Sequence, residues 1–362
     1  MLRNIGRPSG LYYFANSPAG GGVVRLGHYL KGMQADDIRF VVNARSSHGF
    51  DLSDPRVSAC SPTSWQRFFN ENAVVRSLDL QETVVFSHGA PITPRCRGLV
   101  LHINNALPLV VGEVRLSWRL RAKMLLLRSR LQRTAERADV ITVESEATWE
   151  LVRCNWGEAI AAKCEILSNG VDLLAEHELP TPLVEGPYAL TIGTYSYKRL
   201  DKVLNEFGVL RQQHPGLKLV VVGTTPAHMH ILSLEGVIPF EQLSYLATRA
   251  LIARCKFYLS MSEIENCSVA LLEAIYHRRS VRVSDIPSHR EFLDKHGYGL
   301  SETPAGILLG EPPSRLSVAV PSWGEISAAT QRLMARLGAQ AAGEIRTIAP
   351  LSGIPACGVN KV

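Results

Sequence analysis

Long apolar runs are missing from this 362-residue chain: nowhere do about 18 apolar residues follow one another, so no membrane-spanning helix is expected. Cysteine pairs are missing too. Cys60, Cys96, Cys154, Cys164, Cys255, Cys267 and Cys357 are scattered, odd in number and without a Cys-x-x-Cys spacing. That excludes a disulfide frame and a zinc cluster and fits reduced, mostly buried thiols. Gly 28 and Pro 20 give no low-complexity bias. Arg3 and Arg7 are followed by no apolar run, which argues against a secretory leader and for a cytoplasmic protein. The Gly-x-Gly-x-x-Gly dinucleotide fingerprint is absent, and so is an Asp-x-Asp pair that would seat a metal.

What is present is length for two domains, each with its own core, and a net charge of +6 that suits an anionic partner. Strand patterns at 11–15, 38–43, 83–87, 98–103, 139–143 and 165–167 alternate with helical ones, and the alternation restarts at 188–192 and 217–222. Such alternation predicts an α/β protein with parallel sheets covered by helices on both faces.

The stretch 262–274 organises the second half. A short apolar strand pattern, 256–260, precedes it, and Val269, Leu271, Leu272 and Ile275 then recur at helical spacing. Ser268 is placed to cap that helix. Glu265 falls on the loop at the strand's carboxyl end and Glu273 one to two turns into the helix. A helix start offers unpaired N–H groups to a phosphate. Carboxylates accept hydrogen bonds from vicinal hydroxyls. Phosphate, ribose and sugar are the parts of a nucleotide-sugar. The competing reading is a solvated loop Glu and a surface helix Glu.

Glu265, seven residues, Glu273 and Ala274 resemble the Glu-x7-Glu signature of retaining glycosyltransferase family 4, whose members have the GT-B fold. The resemblance extends over roughly 10–337. It implies two Rossmann-like, doubly wound parallel-sheet domains facing a cleft: 1–172 on the acceptor side and 173–322 binding the nucleotide-sugar. A helix at 323–340 would pack back across both, and a tail at 341–362 would be mobile. Glu265 would hold the donor sugar and Glu273 the nucleotide ribose. Asn266, Cys267, Ser268 and Val269 would line the donor, Asn266-Cys267-Ser268 standing where members carry Gly-Phe-Gly. Ser168-Asn-Gly-Val-Asp172 resembles the family's crossing between domains, and 237–239 the loop that holds the nucleobase.

Gly193 precedes Thr194-Tyr-Ser-Tyr-Lys198-Arg199 at a strand end, resembling the family's Gly-Arg…Lys-Gly element and its Tyr-Lys-Arg variant. Thr194 replaces the usual Arg. Two cations at a helix start are unfavourable unless an anion is near, so Lys198 and Arg199 are read as neutralising a departing diphosphate. Gly21 and Gly22, at the first strand-to-helix turn, match the family's Gly-Gly turn facing the donor. His102 resembles the histidine that reaches the donor sugar, and His88 and Asn104 are acceptor-side candidates. A lone His is more often a packed structural residue.

The stretch 113–137 is read as the most basic helix, with Arg115, Arg119, Arg121, Lys123, Arg128, Arg130, Arg133 and Arg137 interleaved with Trp118, Leu116, Leu120, Met124 and 125–127. Cations with Trp and Leu suit an anionic membrane surface, while a solvated helix of paired arginines is the plain alternative. Aromatics able to stack on bases are sparse, which disfavours nucleic acid. The expected activity is retaining, metal-independent transfer of a hexosyl group, mannose from GDP-mannose, with no cofactor. The acceptor would be a lipid-linked saccharide in surface-polysaccharide synthesis, at the inner face of the cytoplasmic membrane. A nucleotide-sugar 2-epimerase and a non-catalytic nucleotide-sugar-binding protein are the alternatives.

Overall fold

The computed structural model describes residues 9–17, 20–45, 53–60, 80–181, 183–225 and 234–342. Two compact units divide them. Unit 1 comprises the chain up to Leu109, Arg121–Asn169 and the chain from Trp323; unit 2 comprises Val110–Leu120 and Gly170–Ser322. Most of the tail expectation, 343–362, lies outside the described residues.

Unit 1 is built on seven strands: β1 (Gly10–Phe14), β2 (Ile38–Asn43), β3 (Val57–Cys60), β4 (Val84–His88), β5 (Gly98–Ile103), β6 (Val140–Val143) and β7 (Cys164–Ile166). They pair in the order β3-β2-β1-β4-β5-β6-β7, parallel throughout. β1, β4 and β5 are buried along their whole length, which is why they read as continuous apolar runs. Helix α1 (Gly21–Gly32) follows β1, and α2 (Trp118–Arg137) begins in unit 2 and continues here. The short helices α3 (Glu146–Trp156) and α4 (Glu158–Ala161) lie between β6 and β7.

In unit 2 the strands are β8 (Tyr188–Ile192), β9 (Lys218–Val222), β10 (Val237–Phe240), β11 (Phe257–Ser260), β12 (Ser280–Ser284), β13 (Gly299–Glu302) and β14 (Ile307–Glu311). The order is β10-β9-β8-β11-β12-β14-β13. The first five are parallel, and the β13–β14 hairpin adds an antiparallel edge. Its outer strand β13 escapes the sequence reading because Gly299–Glu302 is mostly exposed and carries little apolar pattern. The segment 237–239, expected as a nucleobase loop, is instead the edge strand β10, where Pro239 costs no ladder bond on a paired side. The helices are α5 (Leu200–Gln213), α6 (Tyr245–Arg254), α7 (Val269–Tyr276) and α8 (Pro287–Lys295).

The last helix, α9 (Trp323–Ala341), belongs to unit 1 and packs on α1, β4 and β5. Trp323 is buried and stacks on His28 at 5.2 Å, and the Tyr29 and Thr330 hydroxyls bond at 2.6 Å. Among the described residues no helix is long and apolar enough to cross a membrane.

Candidate functional site

Both sheets reverse their strand order at one point, between β1 and β4 in unit 1 and between β8 and β11 in unit 2. The loops leaving the carboxyl ends of those strands diverge there, and the crevice they leave is where open α/β sheets bind ligands.

In unit 2, β8 is followed by Gly193, whose φ of +88° favours glycine. A 3-10 turn, Ser196–Lys198, follows, and Arg199 ends it in the left-handed conformation, φ 51° and ψ 55°, as the first cap of α5. The loop after β11 is fastened to this turn at three places. The Glu263 N–H donates to the Tyr197 carbonyl at 2.8 Å. The Glu263 carboxylate takes the Arg199 guanidinium at 3.0 Å. The Lys198 ammonium donates to Glu265 Oε1, which also accepts from Ser262 Oγ at 2.7 Å. Burial alone would depress the Lys198 ammonium and lift the Glu265 carboxyl; their mutual attraction overrides it, holding Lys198 above and Glu265 below its ordinary range.

Lys198, Glu265, Gly193 and Arg199 are therefore brought together at one switch point. Arg199 is spoken for there: besides Glu263 it binds Asp201 at 2.6 Å. The anions that make two cations tolerable at this helix start are thus the protein's own Asp201, Glu263 and Glu265. The electrostatic case for a diphosphate on Arg199 is met from within the chain, and Lys198 is the better placed of the two.

Ser268 caps α7 by accepting from the Leu271 N–H at 3.4 Å, and Val269 opens the helix. None of Asn266, Cys267 or Ser268 has a positive φ, so the missing glycines cost the loop no backbone strain. Cys267, standing where the family carries Phe, is buried in the cluster that holds Leu271 and Leu272 and so anchors the loop to the core. Glu273 is 2% exposed, accepts from Tyr245 Oη at 2.7 Å and pairs with Arg249 Nε at 3.2 Å. Burial pushes its carboxyl up to about 7, against the pull of Tyr245 and Arg249. Arg249, itself enclosed, also donates to the Asp172 carbonyl at 2.6 Å. The sequence missed Tyr245 and Arg249, since one Tyr and one Arg on an ordinary helix carry no motif.

The switch point of unit 1 is filled differently. His102 is 0% exposed and His88 1%, their rings stacked 5.0 Å apart. Arg25, from α1 and wholly buried, donates to His102 Nε2 at 2.6 Å, to the Ser168 carbonyl at 2.9 Å and to Asn169 Oδ1 at 3.0 Å. It also pairs with Glu144 at 3.4 Å. His102 Nε2 also lies 3.2 Å from Glu144 Oε1, and its Nδ1 lies 2.9 Å from Thr142 Oγ1, so both ring nitrogens have partners within the protein. Burial first, and then the charge of Arg25, holds both imidazoles well below their ordinary range, hence neutral. The ligating atoms of His88, His102 and Glu144 fall within 4.8 Å of one another, but the guanidinium already supplies the positive charge among them.

His102, expected at the donor sugar, is fully buried and bonded to Arg25, Thr142 and Glu144. His88 likewise bonds Ser17 Oγ through Nδ1 at 2.8 Å. Gly22 lies in the first turn of α1 beside Gly21, and a Cβ on Gly22 would sit 2.8 Å from Ser17 Oγ and 3.0 Å from His88 Cε1. Its need for glycine is met by that packing. Asn104 covers Gly89, where a Cβ would fall 1.9 Å from Asn104 Oδ1. The structure therefore places Gly21, Gly22, His88, His102 and Asn104 in unit 1 and every other candidate in unit 2.

The basic stretch is helical from Trp118 rather than from 113. Met124, Leu131, Thr134 and Ala135 face inward, whereas Trp118 (75%), Leu125 (50%) and Leu126 (51%) are exposed. Arg119, Arg121 and Lys123 are exposed among them.

No protein-family model matches this chain, and no curated protein sequence does. Solved structures do. A sucrose-phosphate synthase from Thermosynechococcus elongatus superposes with a TM-score of 0.58 at 15% identity, over 93% of this chain and 94% of that one. HepE of Anabaena in complex with UDP-glucose gives 0.58 at 12% identity, over 92% and 93%. WaaG, a glycosyltransferase involved in lipopolysaccharide biosynthesis, gives 0.55 at 12%, over 92% and 93%. The two Rossmann-like units have the GT-B fold.

Proposed function

We propose that this chain is a GT-B glycosyltransferase that binds a nucleoside-diphosphate hexose in unit 2 and transfers the hexosyl group with retention. The observation that carries the reading is the meeting of the β8 and β11 loops through Lys198 and Glu265 at the sheet's switch point. The donor would exchange this internal pair for its own partners, sugar hydroxyls on Glu265 and diphosphate oxygens on Lys198. The start of α7 at Ser268 adds partial positive charge beside them. Glu273, drawn away from Tyr245 and Arg249, would take the ribose.

In the transfer, an acceptor hydroxyl attacks the anomeric carbon from the face the diphosphate leaves. The new C–O bond forms as the bond to phosphate breaks, and the departing phosphate oxygen takes the hydroxyl proton. Lys198 is fixed where that oxygen's negative charge grows, which is what lowers the barrier without a metal ion. The HepE complex holds UDP-glucose, whereas the family resemblance favours GDP-mannose, so the donor is a nucleoside-diphosphate hexose of either kind. WaaG's role in lipopolysaccharide synthesis supports a lipid-linked acceptor. The exposed Trp118, Leu125 and Leu126 among arginines support a peripheral place on an anionic membrane.

Thermal-shift measurements with UDP, GDP, UDP-glucose and GDP-mannose test the reading, since a ligand held by the folded chain alone raises Tm. At least one should do so, and Lys198→Ala should abolish the rise and lower hexosyl transfer by ~10²–10³-fold, with EDTA leaving the rate unchanged. A wild-type Tm unmoved by all four would sink it.

A further inference from the structure

α8 starts immediately after β12 and carries two buried polar atoms that, among the described residues, have no partner: Ser288 Oγ and His289 Nε2. Its first cap, Ile286, offers no side-chain acceptor. His289 is 1% exposed, and its Nδ1 lies 2.9 Å from the Ser284 carbonyl oxygen. A carbonyl only accepts, so the ring proton sits on Nδ1 and Nε2 presents a lone pair. Native structures rarely bury an acceptor with nothing to accept from, and each such group calls for a reason.

The surroundings supply one. Ser284 Oγ donates to the Ser262 carbonyl at 2.5 Å, and Ser262 Oγ donates to Glu265 at 2.7 Å, so the β12 and β11 loops are stitched together at the donor carboxylate. His289 feels the charges of both Glu265 and Lys198. Burial keeps the imidazole below its ordinary range, so the ring stays neutral and remains an acceptor.

We propose that His289 is a specificity-determining contact of the donor site, its Nε2 accepting a hydrogen bond from a hydroxyl of the hexosyl group that Glu265 grips. Carboxylate and imidazole then read two hydroxyls of one sugar, and a diphosphate without the sugar leaves Nε2 as it is. The inference rests on the donor reading above and extends it to a residue outside the Glu-x7-Glu stretch.

Titration calorimetry on the full chain with UDP, UDP-glucose, GDP and GDP-mannose tests it, beside His289→Asn and His289→Gln. The Asn amide keeps a donor toward the Ser284 carbonyl but has no atom at Nε2; the Gln amide reaches the Nε2 level. His289→Asn should weaken the nucleotide-hexose by ~10-fold while the matching diphosphate stays within ~2-fold, and His289→Gln should recover part of the loss. The imidazole 15N resonances of the wild-type chain give a readout needing no variant: Nε2 should move with the hexose-bearing ligand and not with the diphosphate. Equal losses for both ligands, no loss, or an Nε2 resonance unmoved by the hexose overturn the proposal alone. A wild-type chain that binds none of the four overturns the donor reading and this proposal together.

Discussion

The two sheets reverse at the same place in their strand order, yet their crevices are filled differently. In unit 1 the crevice is stuffed with the protein's own polar groups. Arg25, His88, His102 and Glu144 are all within 4% of full burial, and their bonds close on one another and on main-chain carbonyls. In unit 2 the corresponding position holds a pair that remains partly open, Lys198 with a side chain 19% exposed and Glu265 with 13%. Among the described residues, a nitrogen of the His289 imidazole has no partner there. Topology nominates a place for a ligand; side-chain burial and satisfaction decide whether the place is taken.

The sharpest break of that comparison is to remove one cation from each crevice. Arg25→Ala removes the guanidinium paired with the buried Glu144 carboxylate, and with it the donor to the Ser168 carbonyl. Breaking a buried pair from one side costs ~3–5 kcal/mol, so urea unfolding should show a loss of that order. Lys198→Ala should cost markedly less stability, because water reaches the Glu265 it leaves behind, and should be felt in nucleotide binding instead. Equal stability losses, or nucleotide affinity falling with Arg25→Ala in a chain that still folds, would erase the distinction between a structural and a ligand-binding crevice.

Much of this contrast was invisible in the amino-acid order. Strands buried on both faces announce themselves as unbroken apolar runs, and 38–43, 98–103 and 188–192 were legible to the residue. The Glu265–Glu273 stretch was legible because strand, loop and capped helix follow one another locally. Partnerships across the sheet were not. Nothing local tells that Arg25 of α1 reaches Glu144, or that Arg199 will be claimed by Glu263, 64 residues away. A histidine at a strand end looks the same whether it faces a ligand or a neighbour's guanidinium. The edge strand β13 was hidden because exposed strands lack the apolar code.

Within unit 2 the two signature carboxylates differ again, and pH separates them. Glu273 has its folded pKa raised from 4.5 to about 7. Its stabilising contribution is complete below the unfolded value of 4.5 and is lost as pH climbs through 7. Glu265, depressed by Lys198, has the opposite sign: its contribution is present above the unfolded value and disappears as pH falls through the lower, folded one. Between pH 5 and 7, Glu273→Gln should therefore gain on the wild type by on the order of 1 kcal/mol per pH unit, read from urea midpoints. Glu265→Gln should show no such gain there. A flat difference for Glu273→Gln would mean that Tyr245 and Arg249 hold the carboxylate fully ionised.

The smallest effect isolates Arg199 from Lys198, its neighbour in the same turn. Arg199 sits at φ 51°, a conformation glycine adopts without strain. Arg199→Gly releases ~1 kcal/mol of backbone strain. It forfeits the pairs with Asp201 and Glu263, worth ~0–1 kcal/mol each where water screens them. The two nearly cancel, so stability should stay within ~0.5 kcal/mol of wild type. Nucleotide affinity should stay within ~2-fold, because the guanidinium is already neutralised by its own carboxylates. A ~10-fold loss of affinity at unchanged stability would instead mean that Arg199 leaves Asp201 and Glu263 for the diphosphate. The crevice of unit 2 would then be served by two cations, and its difference from the self-satisfied crevice of unit 1 would be larger than the internal ion pairs imply.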